Sequence, residues 1–238
     1  MAIFTLADLH LSLGEDKPMD VFGGKWNRYH EKLEEYWNYM VADEDTVIIP
    51  GDVSWAMSLD EAVTDFAFLH KLAGKKILMK GNHDYWWTTL NKMEVFLQEQ
   101  GFSTLSILQN TAVLAENKVI CGSRGWICEN NMSEEDEKIL ARENQRFILS
   151  LTAAKALAEK NAVDGVQPEI IAFSHYPLIS QSWRKHPIVE TLCEFGVKRV
   201  YYGHLHGISP GRAPRGDERL KQTLVSSDYL EFTPLCIE

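Results

Sequence analysis

The chain has 238 residues, a formal net charge of −10 and 45% hydrophobic residues. This length and composition are typical of a globular protein with a sizeable core, and they exclude a disordered or fibrous chain. The negative charge disfavours nucleic acid and anionic membranes as partners of the general surface. We expect one domain that spans residues 1–238.

The first predicted element is a strand at residues 3–7. The N-terminus has no basic segment and carries Asp8 and His10 within its apolar stretch, so it is not typical of a signal peptide. No run reaches the roughly 18 apolar residues that a membrane span needs. These features predict a cytoplasmic protein with no membrane partner.

The next predicted elements alternate between strand and helix, which favours an α/β fold. Strands are expected at residues 46–50 and 76–80. Between them, Ser58 and Glu61 fit a capping box and predict a helix that continues to about Lys71.

The second half of the chain begins with residues 101–123, which are spaced like the strands of a meander or hairpin. Ser133 and Asp136 resemble a capping box at the start of a long helix. The remaining predicted elements are a strand at residues 169–173, a short helix that begins at Pro187 and ends before Gly196, a strand at residues 199–202, and strands in the last twenty residues.

Polar residues follow the predicted strands at the points where those strands end. These polar blocks are ADLH at residues 7–10, GD at 51–52, GNHD at 81–84, SHYP at 174–177 and GHLH at 203–206. In open α/β sheets, ligands bind outside the carboxyl ends of the strands. We therefore expect the five blocks to converge on one crevice.

The residue types and their spacing point to metal binding. Asp8 and His10 are two residues apart, as are His204 and His206, so each pair can project from one face of an extended segment. Carboxylates, imidazoles and an amide oxygen suit divalent Mn, Fe or Zn. Seven such ligands are more than one ion needs, and a shared carboxylate would let them hold two ions.

The ordered pattern D-x-H, GD, GNHD, H and GHxH resembles that of the calcineurin-like metallophosphoesterase superfamily. All five blocks are present between Asp8 and His206. The resemblance implies an α/β fold in which two mixed β-sheets, flanked by helices, form a four-layer sandwich. It also implies a dinuclear metal centre.

The resemblance assigns functions to individual residues. It implies that one metal ion is bound by Asp8, His10, Asp52 and His206, and the other by Asp52, Asn82, His175 and His204. It implies that His83 stabilises the phosphoryl oxygens or protonates the leaving oxygen, with Asp84 orienting the His83 ring.

The expected chemistry is phosphoester hydrolysis. Two divalent ions outweigh the carboxylates of Asp8 and Asp52, so the pocket would attract a phosphate despite the acidic surface. A hydroxide that bridges the metals would attack phosphorus in line with the leaving oxygen. We expect a small phosphoester as the substrate, with phosphodiesters or nucleotides preferred.

Three further residues are candidates for substrate binding. Trp86 could stack on a flat leaving group, and Arg124 and Arg184 could bind a phosphate. Each also has a structural interpretation, because adjacent aromatic residues often divide between core and surface and loop arginines are often solvated. The stretch after Asp52, VSWAM, lacks the Asp-Arg of protein serine/threonine phosphatases, which disfavours phosphoprotein substrates.

Two alternative functions remain open from the sequence. The first is a non-catalytic scaffold of the same fold that binds a protein partner, and the complete ligand set with His83 argues against it. The second is a nuclease, which the charge of −10 disfavours. The sequence specifies no oligomeric state.

Overall fold

The computed structural model describes residues 1–14, 17, 19–179 and 185–238. The chain forms two compact units. The first unit comprises Met1–Ile107 and Val225–Glu238, and the second comprises Leu108–Leu224. Each unit contains one five-stranded mixed sheet with flanking helices. The prediction of two mixed sheets flanked by helices is confirmed.

The sheet of the first unit has the strand order β10-β1-β2-β3-β4. Its strands are β1 (Ile3–Thr5), β2 (Thr46–Ile49), β3 (Lys75–Leu78), β4 (Leu105–Ile107) and β10 (Leu235–Ile237). Strands β1 to β4 pair in parallel, and β10 pairs antiparallel with β1. The residues of β1 and β2 are all buried, which explains their unbroken apolar runs.

The helices of the first unit present apolar faces to its core. They are α1 (Tyr29–Met40), α2 (Val63–Lys71) and α3 (Leu90–Glu99), preceded by short 3-10 helices at Met19–Phe22 and Gly24–Trp26. Trp37 of α1 and Phe66 of α2 belong to that core. The Glu61 backbone N–H donates to Ser58 Oγ at 3.3 Å, but α2 begins at Val63, so the predicted helix start was four residues too early.

The sheet of the second unit has the strand order β5-β6-β7-β8-β9. Its strands are β5 (Ala112–Ala115), β6 (Lys118–Ser123), β7 (Glu169–Ser174), β8 (Arg199–Tyr202) and β9 (Lys221–Leu224). In this sheet the β5–β6 pair is antiparallel and the other pairs are parallel. The hairpin predicted within residues 101–123 is confirmed for β5 and β6, whereas β4 of the same stretch pairs with β3 in the first sheet. The strands predicted at residues 169–173 and 199–202 are confirmed.

The helices of the second unit are α4 (Glu134–Lys160) and α5 (Pro187–Glu194). The Asp136 backbone N–H donates to Ser133 Oγ at 3.1 Å, so the predicted cap of α4 is confirmed. Pro187 lies in the first turn of α5, and Gly196 has a positive φ just after the helix, as the sequence predicts. Among the described residues, no helix is both long and apolar enough to cross a membrane.

Candidate metal centre

The first unit gathers its predicted metal ligands where β1, β2 and β3 end. The Asp8 backbone N–H donates to Gly51 O at 3.0 Å, and the His10 N–H donates to Asp52 O at 2.9 Å, so the two loops run side by side. Asn82 follows β3 and is half-buried. Parallel strands thus bring distant blocks of the chain to one edge of the sheet.

The donor atoms of this unit lie close together. Asp8 offers a carboxylate oxygen within 4.8 Å of ligand atoms of both His10 and Asp52. His10 Nε2 lies 3.7 Å from Asp52 Oδ2. Asp8 is 0% and Asp52 1% exposed, so two carboxylates are buried in one cluster. Buried like charges are costly unless a cation compensates them, so this donor set fits a divalent ion.

The backbone is strained at the same positions. Asp8, His10 and Asp52 have φ values of 57°, 45° and 52°, in the left-handed region that side-chain-bearing residues rarely adopt. Gly81 allows a close approach, because a Cβ there would lie 2.0 Å from Asp52 Oδ1. Strain of this kind clusters at functional sites, where the surrounding structure holds it in place.

Asp84 fixes the backbone of this cluster. Its Oδ2 accepts hydrogen bonds from the N–H groups of Asp52 at 2.9 Å and Gly81 at 2.7 Å. Its Oδ1 accepts from Val53 N–H at 2.8 Å, Ser54 N–H at 3.3 Å and Trp86 Nε1 at 3.0 Å. None of these bonds reaches His83. Asp84 therefore ties the β2 loop to the β3 loop instead of orienting the His83 ring.

The environment of Asp84 shifts its pKa. Burial and, after it, the charge of Asp52 raise the pKa of Asp84, and hydrogen bonds from the N–H groups of Gly81, Val53 and Ser54 lower it, with a result of about 7. Positive charge beside Asp52 would weaken that repulsion and favour the ionised form of Asp84.

His83 is half-buried and is held by its backbone and its ring. Its N–H donates to Asp52 Oδ1 at 2.8 Å. The His83 ring packs on Trp55 with a centroid distance of 4.5 Å, and its Nδ1 lies 3.4 Å from the hydroxyl of Tyr85. Trp55 and Tyr85 were not predicted from the sequence as site residues. Their only sequence signal is their position, three residues after Asp52 and one after Asp84.

The second unit gathers imidazoles at the ends of its own parallel strands. His175 comes directly after β7, and His204 is the second residue after β8. Their ring centroids are 5.2 Å apart. His175 is fully buried, His204 is half-buried with a φ of 71°, and His206 is exposed. The predicted ligands of this unit are therefore all imidazoles, whereas those of the first unit include the carboxylates of Asp8 and Asp52.

A backbone carbonyl holds His175 in place. The carbonyl oxygen of Arg124 accepts hydrogen bonds from the N–H groups of His175 at 2.9 Å and Tyr176 at 3.0 Å. Tyr176 packs on His204 with a centroid distance of 4.2 Å. Gly125, with a φ of 73°, allows the turn, because a Cβ there would lie 2.4 Å from Ser174 Oγ.

The predicted substrate-binding residues have different environments. Trp86 is 2% exposed and donates to Asp84, and this burial argues against its stacking on a substrate. The Arg124 side chain is 14% exposed, its Nη2 lies 3.4 Å from buried Glu143, and its guanidinium lies 4.7 Å from the centroid of Trp126. Burial lowers the pKa of Arg124. Arg184 lies outside the described residues.

Comparisons with known proteins agree with this architecture. The sequence model of the family described as calcineurin-like phosphoesterase matches residues 1–207. No curated protein matches the chain significantly.

Solved structures with low sequence identity share the fold. TT1561 of Thermus thermophilus is 12% identical with a TM-score of 0.57, over 99% of this chain and 97% of that one. Phosphopantetheinyl hydrolase from Mycobacterium tuberculosis is 14% identical with a TM-score of 0.54, over 99% and 95%. A protein of unknown function from Aquifex aeolicus is 15% identical with a TM-score of 0.52, over 99% and 95%.

Proposed function

Because the chain belongs to the calcineurin-like phosphoesterase family, we propose that it is a phosphohydrolase with two divalent metal ions that cleaves a small phosphoester. Family membership supports a metal-dependent phosphoesterase in general. The preference for phosphodiesters or nucleotides, and the use of Mn, Fe or Zn, are the finer parts of the proposal.

The buried pair of Asp8 and Asp52 carries this proposal. Their carboxylates lie within 4.8 Å of each other and are 0% and 1% exposed. A scaffold that bound only a protein partner would gain nothing from burying two like charges together. A divalent cation stabilises such a pair, so the cluster supports metal binding.

The proposed metal ligands are those predicted from the sequence. Asp52 is the proposed bridging ligand. The full proposed set is Asp8, His10, Asp52 and Asn82 from the first unit and His175, His204 and His206 from the second. Divalent ions, when bound, would supply positive charge that lowers the pKa of water and stabilises the phosphoryl oxygens.

The chain itself would orient the phosphoester and move one proton. His83 is the proposed proton donor to the leaving oxygen, since its ring lies at the strand end beside Asp52, to which its backbone is bonded. Asp84 would keep the loops that carry Asp52 and His83 in register. Arg124 and Arg184 remain the proposed contacts for the substrate phosphate.

Metal analysis with a hydrolysis assay tests the proposed function. Protein reconstituted with Mn should hold close to two ions per chain and should hydrolyse bis-p-nitrophenyl phosphate. Exposed Asp60 provides a matched control, because Asp60→Asn removes a carboxylate of the same unit outside the cluster. Less than one ion per chain together with no hydrolysis would reject the proposal in favour of a non-catalytic scaffold.

A further inference from the structure

The orientation of the His83 ring needs an explanation other than Asp84. Together, the two carboxylate oxygens of Asp84 accept hydrogen bonds from four backbone N–H groups and from the Trp86 indole. The side chains around the His83 imidazole include Trp55, 4.5 Å away between ring centroids, and Tyr85, whose hydroxyl lies 3.4 Å from Nδ1. Neither has a function assigned by the sequence motifs.

Several contacts hold the Trp55 side chain in one position. Its Nε1 donates to Met19 Sδ at 3.1 Å, and its backbone N–H donates to Leu11 O at 2.9 Å. Lys17 Nζ lies 4.7 Å from the indole centroid. An aromatic ring held at its edge, face and backbone loses little further freedom when a second ring packs on it. Trp55 can therefore restrict the orientation of a neighbouring imidazole.

The same indole contacts a proposed metal ligand. Trp55 stacks on His10 with a centroid distance of 5.0 Å and an interplanar angle of 25°, while His83 is tilted by 50° to it. The centroids of His10 and His83 are 5.6 Å apart. One side chain thus sets the position of His83 relative to His10.

Whereas Trp55 packs on the His83 ring, Tyr85 contacts a polar atom of that ring. Its side chain is 51% exposed, yet its hydroxyl lies beside His83 Nδ1. The hydroxyl oxygen can accept a hydrogen bond from Nδ1–H, which keeps one proton on Nδ1, so that the ring remains a neutral imidazole after Nε2 gives its proton to the leaving oxygen. Proton donation to a leaving oxygen requires that the proton be on the nitrogen that faces the substrate.

We propose that Trp55 and Tyr85 are positioning residues of His83, with Trp55 fixing the plane of its ring and the Tyr85 hydroxyl bonded to Nδ1. This inference rests on the proposed function, in which His83 protonates the leaving oxygen. It follows that the two residues matter most for substrates whose leaving oxygen is a poor leaving group, because those substrates depend on the proton.

The kinetic test compares methyl p-nitrophenyl phosphate with methyl phenyl phosphate, two diesters that differ only in the leaving phenol. With the phenyl ester, His83→Ala should lower kcat by about 10²–10³-fold, the usual size of a general acid effect. Trp55→Leu should lower it roughly tenfold or more, and Tyr85→Phe roughly threefold to tenfold, as partial losses of the same effect. With the p-nitrophenyl ester all three losses should be small, and KM should be unchanged.

Conservative variants and a double variant separate positioning from folding. Trp55→Phe should recover most of the activity lost in Trp55→Leu. Tyr39→Phe, on the surface of α1, is the matched control for Tyr85→Phe, because Tyr39 is 86% exposed. In a His83→Ala background, Trp55→Leu and Tyr85→Phe should cause no further loss, since they act through His83.

NMR of the metal-free protein gives a readout independent of turnover. The His83 ring protons should show an upfield ring-current shift that Trp55→Leu abolishes and Trp55→Phe retains in part. Two-bond nitrogen–proton spectra of the neutral ring should show the Nδ1–H tautomer, with its population reduced in Tyr85→Phe.

The outcomes distinguish a failure of the function proposed for His83 from a failure of the positioning proposal. If His83→Ala affects both esters equally, the proposed function of His83 fails. If His83→Ala is selective for the phenyl ester but the Trp55 and Tyr85 variants behave like the wild type, or lose equally on both esters, the positioning proposal fails. If Trp55→Leu loses metal and regains wild-type kinetics at saturating metal, Trp55 serves His10 alone and its proposed link to His83 is rejected.

Discussion

The two units hold their strand ends in different ways. In the first unit a side chain does so, because the Asp84 carboxylate accepts hydrogen bonds from backbone groups of both the β2 and β3 loops. In the second unit a main-chain group does so, because the carbonyl of Arg124 accepts from His175 and Tyr176. A single substitution can remove the first support, whereas no change of side chain removes the second.

The units also differ in the charge they contribute. The predicted ligands of the first unit include two buried carboxylates, and those of the second are imidazoles. For the proposed metal centre, loss of a carboxylate of the first unit should weaken the attraction for cations more than loss of an imidazole of the second. Substitutions in the two units should therefore differ in size and in kind.

The largest effect is expected for Asp52→Asn, which removes the proposed bridging charge. A unit charge about 4 Å from another interacts by about 4 kcal/mol at an effective dielectric constant of about 20. Metal affinity should therefore fall by roughly a thousandfold or more. Metal content per chain, measured after dialysis, should drop for both ions, while Asp60→Asn keeps them. A variant that retained two tightly bound ions would contradict the bridging assignment.

A smaller but still large effect is expected for Asp84→Ala, this time on stability. The substitution leaves buried N–H donors without an acceptor, and each such group costs about 1–3 kcal/mol. The free energy of unfolding should fall by at least about 3 kcal/mol. Chemical denaturation measures this loss, and Ser133→Ala, which removes a helix cap worth about 1 kcal/mol, sets the scale. Equal losses in the two variants would show that Asp84 is not a backbone support.

The smallest effect is expected for Arg124→Ala. The main-chain carbonyl that holds His175 remains, and Glu143 keeps Arg146, whose Nη1 lies 2.6 Å from its carboxylate. The lost contact with Trp126 should cost about 1 kcal/mol. Metal content should be unchanged, and KM should rise if the guanidinium contacts the substrate. A loss of metal as large as that in Asp52→Asn would show that the Arg124 side chain, and not its main-chain carbonyl alone, supports metal binding.

Much of the fold was predictable from local patterns. Buried parallel strands leave unbroken apolar runs, and Ser133 and Pro187 mark helix starts by capping chemistry that needs only neighbouring residues. The start of α2 was mispredicted because the Ser58–Glu61 interaction forms within a turn that precedes the helix. The one-domain organisation and the cytoplasmic location stay predictions.

The site was predictable in part. Polar blocks after strands signal a site because strand ends carry ligands in α/β sheets. The partner of Asp84 was not predictable, since adjacency to His83 suggests a contact that the fold does not make. The Asp84 carboxylate instead turns to buried N–H groups of a loop some thirty residues earlier. Trp55 was missed for the same reason, because its contacts with His10 and His83 exist only in the folded chain.

The left-handed backbone at Asp8, His10 and Asp52 has a consequence for protein engineering. Glycine adopts positive φ without a steric cost, so replacements there can raise the melting temperature, where relief of strain outweighs the flexibility of the unfolded chain, while they remove proposed metal ligands. Selection for heat resistance alone would thus drift toward an inert protein. Any thermostabilisation of this chain has to leave these three residues untouched and draw its gains from surfaces elsewhere.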